Sequence, residues 1–338
     1  MKQMQQGHIY AFDVMRLVAA FFVVMIHCAA SRSVSGLVYN TVARFSVPVF
    51  VLISGYILLP SDRETGYFLQ KCARTFGTLL LTAGLYACYQ LLTGRMADTG
   101  IKALVKTLLC EPSHLWYLYA AMALYLLTPL LRVFHRHARQ QEYAYALTVC
   151  FFFGSVVYTL VYSGWFPVVN QLMDNTKLPG PLGFVALYLT GGYLARFGVT
   201  KPVRRWIYGL AAAATAAAAA ATCFLSARGV RADLFLSFFA PNAVLGGTAV
   251  FLLVQQLCGS CAWEHPRRNR ILAAFASATA GVYLIHPLWM QLLQDWFGPW
   301  LPALPPVWSI PLRTLTVFTL SLATVAALQR LRGLLPHR

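Results

Sequence analysis

Three ionisable residues occupy one apolar stretch near the N-terminus, in FDVMRLVAAFFVVMIH. Between them, Asp13, Arg16 and His27 have side chains able to hold an anion and move a proton. An ionisable group inside hydrocarbon costs roughly 2.5 to 3.5 kcal/mol on insertion scales, so its presence there points to function. At about 100° per residue, Arg16 and His27 differ by about 20° around a helix, and Asp13 is within about 40° of His27. All three share one face, with Arg16 and His27 about 16 Å apart along the axis. The chemistry such a face suits is a cation for an anionic ligand at one depth and a neutral imidazole base at another. The plainer account is an Asp13–Arg16 pair one turn apart and a histidine bonded to a backbone carbonyl. Two further histidines bear on this choice: His114 opens a later apolar run in HLWYLYA, and His286 lies in GVYLIHP. Three histidines on three helices at similar depth would converge either as an acid–base and acceptor-binding cluster or as a metal site. Trp116 and Tyr117 also suit an aromatic belt at a membrane interface.

These residues must be positioned by a membrane protein. Of 338 residues, 59% are hydrophobic and 11% charged, which excludes a soluble globule. Runs long enough to cross about 30 Å of hydrocarbon fall at about 9–30, 45–60, 75–93, 115–131, 143–163, 183–196, 206–226, 237–258, 271–293 and 309–329. The expected fold is all-α and polytopic, with about ten transmembrane helices in one integral-membrane domain over 1–338 and no soluble domain. The second and sixth runs are short for a crossing. Short cytoplasmic loops carry the excess of Lys and Arg. With the N-terminus inside, 18 of the 27 cations fall on the inner side and 8 on the outer, and Arg313 lies within the last run. Both termini are therefore expected in the cytoplasm. The net charge of +17 is then a topology signal that also favours membrane lipids and anionic ligands. No basic stripe interleaved with exposed aromatics indicates nucleic acid.

Asp13 and Arg16 interrupt the first run too early for a cleaved signal peptide. Eight cysteines scattered in or beside the runs imply no disulfide framework. Cys258 and Cys261 form a lone CxxC with His265 four residues on, short of the four ligands a structural zinc needs. The Ala-rich run 211–221, broken only by Thr215, suits close helix packing. On the inner side, SDRETGYFLQKCAR places Lys71 and Arg74 one turn apart, a clamp for phosphate oxygens or else a positive-inside anchor. Pro48 in SVPVFVLISGYILL is expected to kink the second helix, with Ser54, Gly55 and Tyr56 forming a pocket floor or an ordinary packing contact. Arg44, on the outer side, is an acceptor-side candidate.

The order DxxR, ten residues, His, then SVPVFVLISGY, KxxR, HLWYL and YLIHP resembles the membrane-bound acyltransferase family 3, ten-helix enzymes that O-acylate bacterial surface glycans. The likeness is densest from Asp13 to Arg132 and weakest from Tyr143 to Gly259. Among members the chain looks most like the compact subgroup that acetylates enterobacterial common antigen. The resemblance implies His27 as general base on the acceptor hydroxyl, assisted by Arg16 near the acyl-coenzyme A and by Asp13 positioning Arg16. It implies donor contacts from Arg16, Lys71, Arg74, Ser54 and Tyr56, with a lysine where the family usually has an arginine. His114, Trp116, Tyr283, His286 and Arg44 would line the acceptor side. It further implies acyl-coenzyme A, acetyl first, as co-substrate, no metal, a glycan or lipid-linked saccharide acceptor, and a multi-pass location in the bacterial inner membrane. The competing class is a transporter or flippase for a glycan or small anionic substrate, in which the same polar face would be a permeation path.

Overall fold

The computed structural model describes residues 10–29, 33–96, 100–110, 113–163, 171, 179–229, 234–260, 266–298 and 304–334. The described residues contain helices and no strand, as expected where backbone polar groups must be satisfied within each segment. In chain order they are α1 (Tyr10–Cys28), α2 (Val34–Ala43), α3 (Ser46–Leu58), α4 (Thr65–Leu92), α5 (Ile101–Cys110), α6 (Trp116–His137), α7 (Gln140–Phe151), α8 (Tyr158–Ser163), α9 (Pro179–Arg196), α10 (Lys201–Ala227), α11 (Pro241–Ser260), α12 (Pro266–Phe297) and α13 (Pro306–Leu334). A π turn, Phe152–Val157, joins α7 to α8, and short 3₁₀ turns at Ser113–Leu115 and Leu234–Leu236 precede α6 and α11.

Among the described residues, nine segments are long and apolar enough to cross a membrane. The expected sixth run forms α9, which is not among those nine. Its 18 residues nevertheless reach about 27 Å at 1.5 Å per residue. Gly154, in the π turn beyond α7, abuts Gly183 near the start of α9, while Tyr143 at the start of α7 packs edge-on against Tyr193 and Phe197 at and just past the end of α9. The two therefore run antiparallel, so α9 lies alongside the Gln140–Val161 segment, which is itself one of the nine.

The expected second run is longer than 45–60: α2 and α3 together form one apolar segment, Val34–Leu58, broken at Arg44 and Phe45. Pro48 does not kink the middle of a helix. It lies in the first turn of α3 and has no N–H for the Arg44 carbonyl, so the break falls four residues upstream, and the ladder resumes with Val49 N–H donating to the Phe45 carbonyl at 3.2 Å. The third helix begins at Thr65 rather than 75, which puts Lys71 and Arg74 inside it. The stretch read as an outer loop contains α5, an amphipathic helix whose Ile101 and Val105 are exposed beside Lys102 and Lys106, a pattern suited to lying in a membrane interface.

Burial sorts the helices into centre and rim. In their most apolar stretches, α1, the α2–α3 segment and the Leu234–Cys258 segment have 50 to 61% of residues buried, against 17 to 28% for the other crossings. The rim helices turn residues such as Leu81, Leu130 and Trp206 outward, where lipid replaces water. The core joins Phe12 and Met15 of α1 to Leu52 of α3, Tyr188 of α9 and Phe251 of α11. Backbone contact closes α3 on α9: a Cβ on Gly55 would stand 1.9 Å from the Tyr188 carbonyl oxygen, and one on Gly191 would stand 2.2 Å from that of Leu52. Only glycine fits either position. The central α1 packs against α2, α3, α11, α12 and α13, so its polar face is enclosed by protein rather than lipid.

Candidate active site

The two ends of the α1 polar face become two different environments. At the inner end, the Arg16 Nη1 donates to Asp13 Oδ1 at 3.1 Å, with the carboxylate 2% and the guanidinium 34% exposed. A fully buried carboxylate requires such a partner, and the exposed part of Arg16 keeps donors for an anion. Lys71 of α4 stands within electrostatic reach of Arg16 and projects its Nζ over the Tyr125 ring at 4.8 Å. Arg132 bonds the Arg63 carbonyl and Arg136 bonds Asp62 at 2.6 Å in the loop after α3.

At the opposite end, three histidines from three parts of the chain meet. The His27 ring is 4.8 Å from that of His286 and 6.4 Å from that of His114, and the latter two are 5.7 Å apart. His286 is wholly buried and His114 nearly so, while His27 is half-buried. Tyr283 donates its hydroxyl proton to the His114 carbonyl, binding the 3₁₀ turn to α12. The convergence needs a bent α12. Pro287 cannot donate to the Tyr283 carbonyl, and the Tyr86 hydroxyl enters the ladder beside it, donating to the Leu284 carbonyl at 3.0 Å and accepting from Leu288 N–H at 3.1 Å.

From the Arg16 end a mostly apolar cavity of about 340 Å³ extends towards α12. Arg16 and Val23 of α1, Thr78 of α4, Tyr125 of α6, and Tyr283 and Leu284 of α12 contribute to its wall. It begins at the guanidinium and reaches residues two and three positions before His286. Tyr117, also in the wall, stands near Ser54, whose hydroxyl donates to the Phe50 carbonyl at 2.9 Å.

Arg44 closes the His27 end, within electrostatic reach of that ring. Its Nε donates to Asn40 Oδ1 at 2.8 Å and its guanidinium lies 4.7 Å over the Phe238 ring, which in turn stacks on Trp116 at 5.2 Å. The Asn40 amide also donates to the Ile26 carbonyl at 3.4 Å, tying this arginine to α1 next to His27.

The fold thus unites His27, His114, Tyr283 and His286, sets Arg44 and Trp116 beside them, and gathers Asp13, Arg16 and Lys71 at the other end. It leaves Arg74 exposed on α4 and packs Tyr56 between Phe12 and Phe251 at 5.2 and 5.6 Å, away from the cavity wall. Among the described residues no group of three or more His, Cys, Asp or Glu is arranged to hold a metal ion. Cys258 lies in α11, whereas Cys261 and His265 fall outside the described residues. Sequence reasoning missed Tyr86, Tyr125 and Asn40, and read Tyr117 only as an interfacial aromatic. The signal for each was a hydrogen-bonding group within an apolar run; nothing local marked Phe238.

The polytopic helical bundle thus encloses a cluster of three histidines and, towards the other end of its central helix, an arginine paired with a buried carboxylate. Residues 9–328 match the family model described as an acyltransferase domain, and the chain accordingly belongs to this acyltransferase family. No protein of curated function and no solved structure matches it.

Proposed function

We propose that the protein transfers an acyl group, acetyl first among candidates, from acyl-coenzyme A to a hydroxyl of a cell-envelope polysaccharide or lipid-linked glycan. His27 serves as general base, at the bacterial inner membrane, as in the subgroup that acetylates enterobacterial common antigen. The observation that carries this reading is the cavity linking Arg16 to Tyr283 and Leu284. A cation at one end, threonine and tyrosine hydroxyls along the wall and an otherwise apolar lining suit a donor with phosphates at its head and a slender, largely apolar arm. A thioester is already activated, so proximity and a positioned base supply the main acceleration, the base contributing about 10²- to 10⁴-fold.

In this reading Arg16 and Lys71 hold donor phosphate, Asp13 orients Arg16, and His27 takes the acceptor proton as the ester bond forms. Arg44, Trp116 and His114 orient the acceptor. Arg74 stands further off, and Tyr56 supports the helix packing instead.

The test is free-thiol release from acetyl-coenzyme A by purified, detergent-solubilised protein beside His27→Ala, with cell-envelope glycan extract as acceptor. Acceptor-dependent release by the native protein, lost in His27→Ala with donor binding retained, supports the reading. Failure of both proteins to turn over any of several acyl donors, while both bind glycan lipid, would put the transporter reading in its place.

A further inference from the structure

Proline in the middle of a helix leaves the carbonyl four residues before it without its partner. At Pro287 that carbonyl belongs to Tyr283, and His286 Nδ1 lies 2.9 Å from it and 3.2 Å from the Val282 carbonyl. Both oxygens can only accept, so Nδ1 carries the proton and the neutral ring presents its lone pair at Nε2. That Nε2 is buried and has no hydrogen-bond partner among the described residues. A wholly buried acceptor left open costs about 1 to 3 kcal/mol, and such an atom in a native fold calls for an explanation. The backbone holds the ring on two carbonyls, and the Tyr86 hydroxyl, bonded to Leu284 and Leu288, fixes the bend that puts it there. The His27 ring is its near neighbour at 4.8 Å. His114 does not compete for the lone pair, since its Nε2 faces the Leu284 carbonyl at 3.4 Å and is likewise the donor there.

We propose that His286 is the positioning residue for His27: its backbone-locked Nε2 lone pair, open in this structure, takes the N–H of the neighbouring His27 ring when substrate is bound, leaving the other His27 nitrogen unprotonated and turned to the acceptor hydroxyl. This rests on the reading of His27 as base and goes further, by assigning both tautomers. As the acceptor O–H bond breaks, its proton passes to the open His27 nitrogen while the oxygen bonds the acyl carbon. The carbon–sulfur bond then breaks, and the leaving thiolate takes that proton from His27. Throughout, the second His27 N–H stays on His286 Nε2, steadying the ring while it is cationic. The kink at Pro287 is therefore a device for making an imidazole a one-sided acceptor inside the bundle.

Two substitutions separate this role from simple capping of the kink. His286→Gln can place an amide oxygen where Nε2 stood but loses the Nδ1 donor. His286→Asn keeps a donor near the Tyr283 carbonyl and loses the acceptor. Thiol release with envelope glycan extract should stay within about threefold of native in His286→Gln and fall about 10- to 100-fold in His286→Asn, the scale expected when a catalytic group is misoriented. Should either variant fold poorly, each is remade with Pro287→Ala, whose restored N–H caps the Tyr283 carbonyl and removes the structural demand on residue 286. Asn retaining activity while Gln loses it, or the two behaving alike, overturns the proposal. His27→Ala runs alongside: native-like turnover there defeats the parent reading, whereas an inactive His27→Ala with the reversed Asn and Gln pattern defeats only this one.

Discussion

Removing Arg16 should do two separable things, because the guanidinium serves both the buried Asp13 and the cavity. Unit charges 3.1 Å apart attract by about 5 kcal/mol at an effective dielectric of about 20. Arg16 is 34% exposed, so solvent screening reduces what the pair contributes to about 2 kcal/mol. Arg16→Ala deprives a 2% exposed carboxylate of its guanidinium, whereas Asp13→Asn/Arg16→Ala removes the buried charge with it. The single variant should therefore melt at a lower temperature than the double, by the equivalent of about 2 kcal/mol. Donor affinity should fall alike in both, since each lacks the same charged phosphate contact, worth about 1.5 to 3 kcal/mol or roughly 10- to 150-fold in Kd. Thermal unfolding in detergent gives the first quantity and calorimetric titration with acetyl-coenzyme A the second. If the single variant melts no lower than the double, the pair is not a structural necessity. If donor affinity in both stays within about twofold of native, Arg16 is not the phosphate ligand and the donor end of the cavity is wrongly assigned.

Two further outcomes follow from the packing. Arg44→Ala should raise the acceptor KM while leaving donor Kd unchanged, because Arg44 stands on Asn40 and Phe238 at the His27 end and not in the cavity wall; a changed donor Kd in titration would refute this. Gly55→Leu should abolish recovery of monodisperse protein, since even a Cβ there would sit 1.9 Å from the Tyr188 carbonyl oxygen, and native-like elution on size exclusion would show that α3 and α9 can separate.

Much of this site was legible before any coordinates. The spacing of Asp13, Arg16 and His27 fixes a shared face on any α-helix, and Arg16 and Asp13 do pair there. The three histidines at similar depth do converge. The inner clamp was legible only in part: a three-residue spacing puts Lys71 and Arg74 near each other, but which of them turns inward depends on the neighbours of α4, and Lys71 alone does. Tyr56 shares the Ser-Gly-Tyr run with Ser54, yet two residues on a helix are about 200° of rotation, enough to carry it to the opposite environment.

The sequence by itself determined that the chain crosses a membrane many times, which helix carries ionisable groups, and their order along it, because hydropathy and helical period are local properties. Tertiary structure alone decided what those groups do. Whether His286 is a donor or an acceptor depends on the proline one residue later and on a tyrosine hydroxyl 200 residues earlier in the chain, Tyr86, that repairs the broken ladder. What Arg16 opens onto depends on an apolar cavity walled by five separate helices and reaching Tyr283 and Leu284, close before His286. Protonation state and enclosure are set by contacts between segments remote in sequence, and no window along one helix contains them.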